Sequence, residues 1–451
     1  MNVEKNKQMA RQIAEKVAAV GGRTYFVGGY VRDQMLNREN KDIDIEIHGI
    51  APQTLMGILD ELGERTVMGA SFGIFGLKHY DLDISMPCRA SEHSRGKQDF
   101  CDFADPFVGT EAAARRRDLT MNALMQDVVT GEILDYFGGM EDLRQGMLRH
   151  VDANSFREDP LRVFRVAQFA ARLEYSVAEE TVALCRTMDV TKLARERVFG
   201  ELEKALLQSP RPSVFFQNLR QMGQLSLWFG EAEALIGVEQ DPVHHPEGDV
   251  WNHTMAVLDA AARYRDQAQN PLGLMLAALC HDFGKVSTTQ IENGRIRALG
   301  HEEAGMPLAE AWLSRLTNEV RLHRYVENMV LLHMRPNMLA AQRAKAKAMC
   351  TLFDRSVCPE DLLLLAKADY FGKKGACDYE ETEQFLRDAV TMFRERMAQP
   401  YVKGADLVEA GFQPGTAFKE ALAYAHKMRL AGVRKEDALK QTVAYLKKQI
   451  Q

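Results

Sequence analysis

The alternation of apolar and polar positions divides the chain into two parts near residue 150. Before that point, strand patterns with a period of 2 alternate with helical patterns. The predicted strands lie in RTYFVGG, KDIDIEIHG, ERTVMG, FGIFGLKHY and DLDISM, and the predicted helices lie near 1–20, 30–36 and 53–62. This pattern predicts an α+β head that contains a small mixed or antiparallel sheet with helices. After HVDANSFREDP, helix follows helix almost to the C-terminus, which predicts an elongated all-α body.

Breaks rich in Pro and Gly divide the predicted body further. They lie at 209–212, 241–248, 335–336 and 400–404. Together with the change of pattern near residue 150, they predict four parts. These are a head (1–150), a helical neck (151–235), a third domain (236–384) and a helical tail (385–451).

Charge is distributed unevenly along the chain of 451 residues. The net charge is −6, which argues against a protein that coats nucleic acid, since such domains are usually basic. Residues 401–451, however, hold nine Lys and Arg against five Asp and Glu, a local charge of +4. A basic tail of this kind is attracted to a phosphate backbone.

The sequence predicts a cytoplasmic protein with no membrane partner. Its first segment, MNVEKNKQMARQIAEKVAAV, has the pattern of a charged amphipathic helix and lacks an apolar signal core. No uncharged apolar run reaches membrane-spanning length. The seven cysteines are scattered without a CxxC pair, so we expect neither a disulfide framework nor a structural zinc knuckle.

Two aspartates lie in the predicted strand DIDIEI. Alternate residues of a strand face the same side, so Asp42 and Asp44 point together while Ile43 and Ile45 face the other side. Two neighbouring carboxylates repel each other, and a pKa rises, unless a divalent cation lies between them. By itself the segment fits either a solvated face of an edge strand or a cation site, and the neighbouring motifs favour the cation site.

A third carboxylate and two glycines extend this pattern. Two-metal phosphoryl transfer requires a further acid from a neighbouring strand. We assign it to Asp83 in DLDISM, and Asp81, which has the same parity, is the alternative. Gly28 and Gly29 end a predicted strand, and their missing side chains let backbone N–H groups approach phosphate oxygens.

Five motifs resemble, in order and spacing, those of the bacterial-type class II tRNA nucleotidyltransferases and poly(A) polymerases. They are GGYVRD, KDIDIEIHG, DISMPCR, RRRDLTMNAL and EDPLRVFRVAQFAAR. The resemblance implies that Mg²⁺ is held by Asp42 and Asp44, with Asp83 as the third catalytic acid. It also implies a nucleotide pocket formed by Gly28, Gly29, Arg32, Asp33, Arg116, Arg117, Asp118, Asn122, Asp159, Arg162 and Arg165.

The segment EDPLR suggests how bases are selected. Asp159 and Arg162 are three residues apart and share a helix face if the helix begins near Pro160. The Asp accepts from an exocyclic amine, and the Arg donates to an unprotonated ring nitrogen. Cytosine and adenine offer this combination, whereas uracil and guanine leave donors and acceptors opposed. The pair therefore favours C and A.

A second set of polar residues lies in the body, in HHPEGDVWNHTMAVL, LCHDFGK, GHEEAG, VLLHMRP and AKADYFG. Adjacent His281 and Asp282 project about 100° apart on a helix, so they share an ion only if other helices add ligands. Mixed imidazole and carboxylate ligands suit Mn, Ni, Co or Fe.

This string resembles the HD phosphohydrolase superfamily, in which an activated water attacks a phosphate ester. The resemblance implies an HD domain over 236–384 with the core metal ligands His253, His281, Asp282 and Asp369. It further implies that His301 and His333 complete a second position or bind the phosphate, and that Lys285 neutralises substrate charge.

Both resemblances together imply an enzyme that builds or repairs the 3′-CCA end of tRNA from CTP and ATP with Mg²⁺. The tail would bind tRNA, and the HD domain would hydrolyse phosphate esters or serve as a structural RNA-binding body. Where relatives often have RRE this chain has CRA at 88–90, and Gln168 replaces a common Arg. These departures leave an A-adding enzyme and a poly(A) polymerase as alternatives. A nucleotide phosphohydrolase with a sensor head is a third.

Overall fold

The computed structural model describes residues 3–69, 74–89 and 103–450. They form two compact units, which we call unit 1 (1–193 with 221–224) and unit 2 (194–220 with 225–451). The division at residue 193 falls inside the predicted neck. The predicted departure at Ala90 and the rest of 90–102 lie outside the described residues.

Unit 1 is built on a mixed sheet of seven strands. The strand order is β3-β4-β5-β2-β1-β8-β9, and the pairing of β2 with β5 is parallel, whereas the other pairs are antiparallel. The strands of unit 1 are β1 (Arg23–Val27), β2 (Ile43–His48), β3 (Arg65–Gly69), β4 (Ile74–Leu77), β5 (Leu82–Ser85), β6 (Cys88–Arg89), β7 (Phe103–Ala104), β8 (Met125–Asp127), β9 (Ile133–Leu134), β10 (Met147–Leu148) and β11 (Ser176–Val177). Its helices are α1 (Val3–Ala19), α2 (Gly29–Met35), α3 (Pro52–Leu62), α4 (Thr110–Arg115), α5 (Gly139–Gln145), α6 (Ala153–Arg157), α7 (Arg162–Leu173) and α8 (Glu179–Arg186), with a 3-10 turn at Thr120–Asn122.

One face of β2 is apolar and the other is polar. Ile43, Ile45 and Ile47 are fully or almost fully buried in a core that includes residues of α1 and α3. Because side chains alternate along a strand, the acids of DIDIEI face the other side of the sheet. Burial of the isoleucines therefore fixes which face of the central strand carries the candidate site.

Helices dominate unit 2. They are α9 (Arg195–Gln208), α10 (Ser213–Gln221, which ends at the unit boundary), α11 (Ser226–Glu233), α12 (Val250–Ala262), α13 (Pro271–Cys280), α14 (Lys285–Thr288), α15 (His301–Leu316), α16 (Val320–Leu332), α17 (Met334–Ala341), α18 (Ala346–Arg355), α19 (Pro359–Gly372), α20 (Glu380–Ala398), α21 (Gly404–Glu409), α22 (Thr416–Leu430) and α23 (Lys435–Ile450), with a 3-10 turn at Arg265–Gln267. The predicted fold class, an α+β head followed by a helical body, is confirmed.

The centre of unit 2 is the apolar helix α13. Residues 273–280 are all buried, as expected for a helix that is hydrophobic on every side. Its N-terminal end is held by the buried Asp361 of α19, which accepts hydrogen bonds from the backbone N–H groups of Gln269 and Asn270 at 2.9 and 3.0 Å. Asp361 also accepts from the Tyr325 hydroxyl of α16 at 2.6 Å. These contacts fix three helices whose other ends approach the histidine cluster.

One hairpin interrupts the helical body. Its strands are β12 (Thr289–Glu292) and β13 (Arg295–Ala298), joined by Asn293 and Gly294, which both have positive φ. An Asn-Gly pair between two short alternating runs is a strong hairpin signal. The prediction of uninterrupted helices missed it. In the described part of the chain, no helix is long and apolar enough to cross a membrane.

Candidate functional site

The register of the central strands brings the head acids together. In the parallel pair of β2 and β5, Asp44 lies directly opposite Asp83, and Asp42 immediately precedes β2. The pKa of Asp44 is raised to about 6, mainly by burial and also by the negative charges of Asp83 and Asp42, while Arg117 opposes the rise. Three carboxylates therefore share one region. Asp81 precedes β5, and its backbone exchanges hydrogen bonds with the Asn6 side chain.

The residues of this cluster fit a magnesium ion. Carboxylate oxygens are the hard ligands that Mg²⁺ prefers. Asp44 is half-buried, and its pKa is raised by burial and by the neighbouring negative charges. A divalent cation relieves both effects, because it compensates the desolvated charge and separates the acids.

Gly28 lies beside the acids with a φ of 66°. L-residues with side chains rarely adopt this conformation. A Cβ at this position would lie 3.3 Å from Nη1 of Arg117 and 3.6 Å from Oδ2 of Asp44. Glycine therefore keeps open the space between an arginine and a candidate metal ligand.

Four of the predicted nucleotide-binding residues are buried and bonded to one another. Arg32 donates to both carboxylate oxygens of Asp33 at 2.8 and 2.9 Å, and to Oδ1 of Asn122 at 2.9 Å. Asn122 donates to Asp118 at 3.0 Å, and Arg165 donates to the other oxygen of Asp118 at 2.7 Å. This network links α2, the 3-10 turn and α7, so it fixes these elements relative to one another.

Asp118 stays ionised in this network. Burial favours its neutral form, but Arg165 and Asn122 stabilise the carboxylate more strongly, so its pKa falls to about 2. The paired charge allows Asp118 to be buried.

The proposed base-selecting pair lies at the start of α7, which begins at Arg162, just after Pro160, with Asp159 immediately before the helix. Asp159 accepts from the backbone N–H of Leu161 at 3.1 Å. Arg162 donates to the carbonyl oxygens of Ser155 and Arg116, at 2.8 and 2.6 Å. Each side chain is thus anchored to backbone, and both remain partly exposed.

In unit 2 the predicted ligands form two groups. His253, His281 and Asp369 form one, and Asp282, His301 and His333 form the other; within each, the candidate ligand atoms lie within 4.8 Å of one another. The groups come from α12, α13, α15, α16 and α19 and the residues that follow them.

Hydrogen bonds orient three of the imidazoles. Nδ1 of His281, His301 and His333 lies 2.8, 2.7 and 2.7 Å from the carbonyl oxygen three residues earlier in each case. A neutral ring that donates through Nδ1 carries its lone pair on Nε2, and Nε2 faces the cluster. Second bonds of this kind are typical of metal-binding histidines.

Asp282 belongs to the second group and also faces His281 of the first. Oδ1 is 3.4 Å from Nε2 of His301, and Oδ2 is 3.2 Å from Nε2 of His281 and 2.7 Å from Nζ of Lys285. Within the described chain, both oxygens of Asp282 and Nε2 of His281 are buried without a hydrogen bond of good geometry. Buried polar atoms of this kind fit metal ligands.

The protonation states of Asp282 and His333 suit cation binding, whereas the Asp369 and Glu247 carboxylates raise the pKa of His253 despite its burial. Burial alone would raise the pKa of Asp282, but His281 and Lys285 hold it well below its usual range. Burial lowers the pKa of His333 to about 3. The carboxylate and the imidazole are therefore deprotonated at neutral pH, as ligands must be.

The sequence matches two family models, the Poly A polymerase head domain over residues 24–149 and the HD domain over residues 250–372. It is 34% identical to the Multifunctional CCA protein of Alkalilimnicola ehrlichii, over 92% of this chain and 98% of that protein. It is 35% identical to the protein of the same name from Pasteurella multocida, over 87% and 92%. This chain belongs to the multifunctional CCA protein family.

Solved structures share the fold of this family member. The Thermotoga maritima CCA-adding enzyme complexed with tRNA_CCA has a TM-score of 0.64 at 18% identity, covering 99% of both chains. The Bacillus stearothermophilus CCA-adding enzyme in complex with CTP has a TM-score of 0.67 at 21% identity, covering 98% of this chain and 97% of that one. As a member of this family, the chain is a nucleotidyltransferase.

Two residues beside the predicted HD ligands, His245 and Glu247, escaped the sequence analysis, and with His253 they form a third group of candidate ligands. Glu247 lies before the HD match and accepts from Nδ1 of His253 at 2.8 Å and of His245 at 2.9 Å, if both rings donate there. Nε2 of His253 meets Asp369 at 3.0 Å. The acid of HHPEGD, six residues before His253, was the available signal.

Proposed function

We propose that this enzyme adds C and A nucleotides to the 3′ end of tRNA and so builds or repairs the CCA end. The observation that carries the proposal is the side-by-side placement of Asp44 and Asp83 on the polar face of the central sheet, with Asp42 beside them. This is the arrangement required for metal-assisted attack of a hydroxyl on a nucleoside triphosphate.

In this proposal Asp42, Asp44 and Asp83 hold Mg²⁺. When bound, the ions supply activation of the tRNA 3′-OH and neutralise the charge of the triphosphate and the pyrophosphate that leaves. Arg117, beside Gly28, binds the triphosphate, since its guanidinium fork matches phosphate oxygens.

Base selection falls to the start of α7. Asp159 accepts from the amine of C or A, and Arg162 donates to the neighbouring ring nitrogen. The anchoring of both side chains to backbone supports this role, because a fixed pair discriminates better than a mobile one. Uracil and guanine would place a carbonyl opposite the Asp159 carboxylate and an N–H opposite the Arg162 guanidinium. Each mismatch leaves buried groups unpaired.

The predicted tail, residues 385–451, would bind the tRNA, and its basic stretch over residues 401–451 supports this assignment. We also propose that the enzyme acts in the cytoplasm, in keeping with tRNA, CTP and ATP as its proposed substrates.

The direct test is the sequence of the 3′ end produced from tRNA. We expect a transcript lacking CCA to gain CCA and stop when all four nucleoside triphosphates are present, and one ending in CC to gain a single A. A generic oligoribonucleotide is the control and should be extended poorly. Addition of A alone, and only to CC ends, would instead establish an A-adding enzyme, and long A tails on the oligoribonucleotide a poly(A) polymerase.

The raised pKa of Asp44 predicts a pH dependence of metal binding. A protonated Asp44 is a poor ligand, so Mg²⁺ affinity should fall by up to tenfold per pH unit below a pKa of about 6 and level off above it. Titration calorimetry in the absence of nucleotide measures this affinity. Asp44→Asn removes the titrating group and should flatten the profile near that pH. A wild-type affinity that stays constant across the same range contradicts the prediction.

We also propose that the HD domain is a phosphohydrolase that uses a transition-type divalent metal such as Mn, Ni, Co or Fe. The observation that favours it is Asp282, placed so that its two oxygens serve both ligand groups. A metal ion supplies a nucleophilic water and neutralises phosphate charge in such sites. Lys285, on the same carboxylate, adds a positive charge that the substrate phosphate can meet.

A further inference from the structure

The polar face of β2 continues past the metal-binding acids. Glu46 and His48 have the same parity as Asp44, and they are only 8% and 6% exposed. Glu46 lies in the fourth strand of seven, paired with Tyr25 of β1 on one side and with Ser85 of β5 on the other. A buried carboxylate at the centre of a sheet is costly unless it is paired.

Both oxygens of Glu46 have a partner. Oε2 accepts from Nη2 of Arg117 at 3.1 Å, and Oε1 lies 2.8 Å from Nε2 of His48. The His48 ring in turn packs edge-on against Tyr25, with ring centroids 5.4 Å apart. Glu46 is therefore held between a fixed imidazole and the arginine that we assign to the triphosphate.

Arg117 lies close to Asp44, so the residue with which Arg117 pairs affects the metal-binding acids. Its guanidinium and the Asp44 carboxylate both border the space above Gly28, where an added Cβ would lie 3.3 and 3.6 Å from them. An arginine this close to an acid forms an ion pair with it if no better partner is available. Such a pair would occupy Asp44 and remove Arg117 from the substrate.

We propose that Glu46 is a positioning residue that binds Arg117, keeps it off the metal-binding acids and presents it to the triphosphate. The inference rests on the proposed function of the head. Arg117 pairs with Glu46 instead of with Asp44, and His48 holds the Glu46 carboxylate in place. One guanidinium edge is thus occupied by Glu46, and preorganisation lowers the cost of binding a nucleotide.

Glu46→Gln tests the proposal, because it keeps the shape and removes the charge. We expect the KM for CTP and for ATP to rise roughly 10- to 100-fold, with a smaller change in kcat. The Mg²⁺ concentration for half-maximal addition should also rise, because Arg117 then competes for Asp44. A residue that only stabilised the fold would not raise the magnesium requirement.

Two comparisons make the test specific. In an Arg117→Ala background, Glu46→Gln should have little further effect on the KM, since a residue that acts through Arg117 is non-additive with it. Glu201→Gln changes another buried glutamate, 3% exposed and paired with Lys204 in α9, and should leave the KM unchanged.

The proposal would be overturned if a folded Glu46→Gln protein had an unchanged KM and an unchanged magnesium requirement. It would also be overturned if Glu46→Gln raised the KM equally in the wild-type and the Arg117→Ala backgrounds. If Glu46→Gln does not fold, His48→Phe decides. It keeps a ring against Tyr25 and removes one bond to Glu46, so a smaller rise in KM, roughly threefold, is expected, and no rise refutes the proposal. Wild-type protein that adds neither C nor A would refute the proposed function instead.

Discussion

Asp44→Ala is expected to slow nucleotide addition about 10³-fold or more, which is a larger effect than that expected for Glu46→Gln. The substitution removes a ligand from the centre of the acid cluster, opposite Asp83. Metal assistance contributes several kcal/mol to a phosphoryl transfer, and each 1.4 kcal/mol is a factor of ten in rate. Single-turnover extension of a tRNA lacking CCA, with CTP, measures the loss.

Asp81 offers a matched control for this experiment. It is an exposed aspartate two residues from Asp83, outside β5, and its contacts with Asn6 involve only its own backbone. Asp81→Ala should therefore change the rate by no more than about twofold, whereas Asp83→Ala should approach the loss seen with Asp44→Ala. Normal addition by Asp44→Ala, or a greater loss from Asp81→Ala than from Asp83→Ala, would refute the assignment of the acids.

Asp282→Asn is expected to lower HD phosphohydrolysis about 10³-fold and to leave nucleotide addition intact. The residue faces both ligand groups, so its loss weakens both candidate metal positions at once. The rate is measured with a 2′,3′-cyclic nucleotide and with a simple phosphate monoester, in the presence of Mn²⁺ or Ni²⁺. Metal content after dialysis, determined by mass spectrometry, should fall in parallel.

The folded state of this variant needs its own measurement. Removing one member of a buried charge pair leaves Lys285 uncompensated, so a lower melting temperature is expected. Asp354→Asn in α18, whose carboxylate is partly exposed beside His426, is the control and should keep full hydrolysis. Undiminished hydrolysis by a folded Asp282→Asn protein, or no hydrolysis by the wild type with any of these metals, would favour a structural role for the HD domain.

The local pattern of the head was readable from sequence because its determinants are short-range. The isoleucines of DIDIEI predicted a strand with one apolar face, and that face is buried against α1 and α3. Asn293-Gly294 carried an equally local signal for the hairpin, but the surrounding helical periodicity obscured it. The start of α7 was likewise readable from the local Pro160 signal, since the helix begins at Arg162 and Asp159 accepts from the backbone N–H of Leu161 just before it.

The sequence by itself determined the order of the motifs, the division into a sheet-containing head and a helical body, and the residue types that can bind metals. Only the tertiary structure decided that Asp83 lies opposite Asp44, that Asp282 faces two groups of ligands, and that Glu46 binds Arg117. The reason is physical: periodicity depends on neighbours along the chain, whereas strand register and helix packing join residues that are distant in sequence, such as Glu46 and Arg117, which are 71 positions apart. No pattern within one segment specifies those pairings.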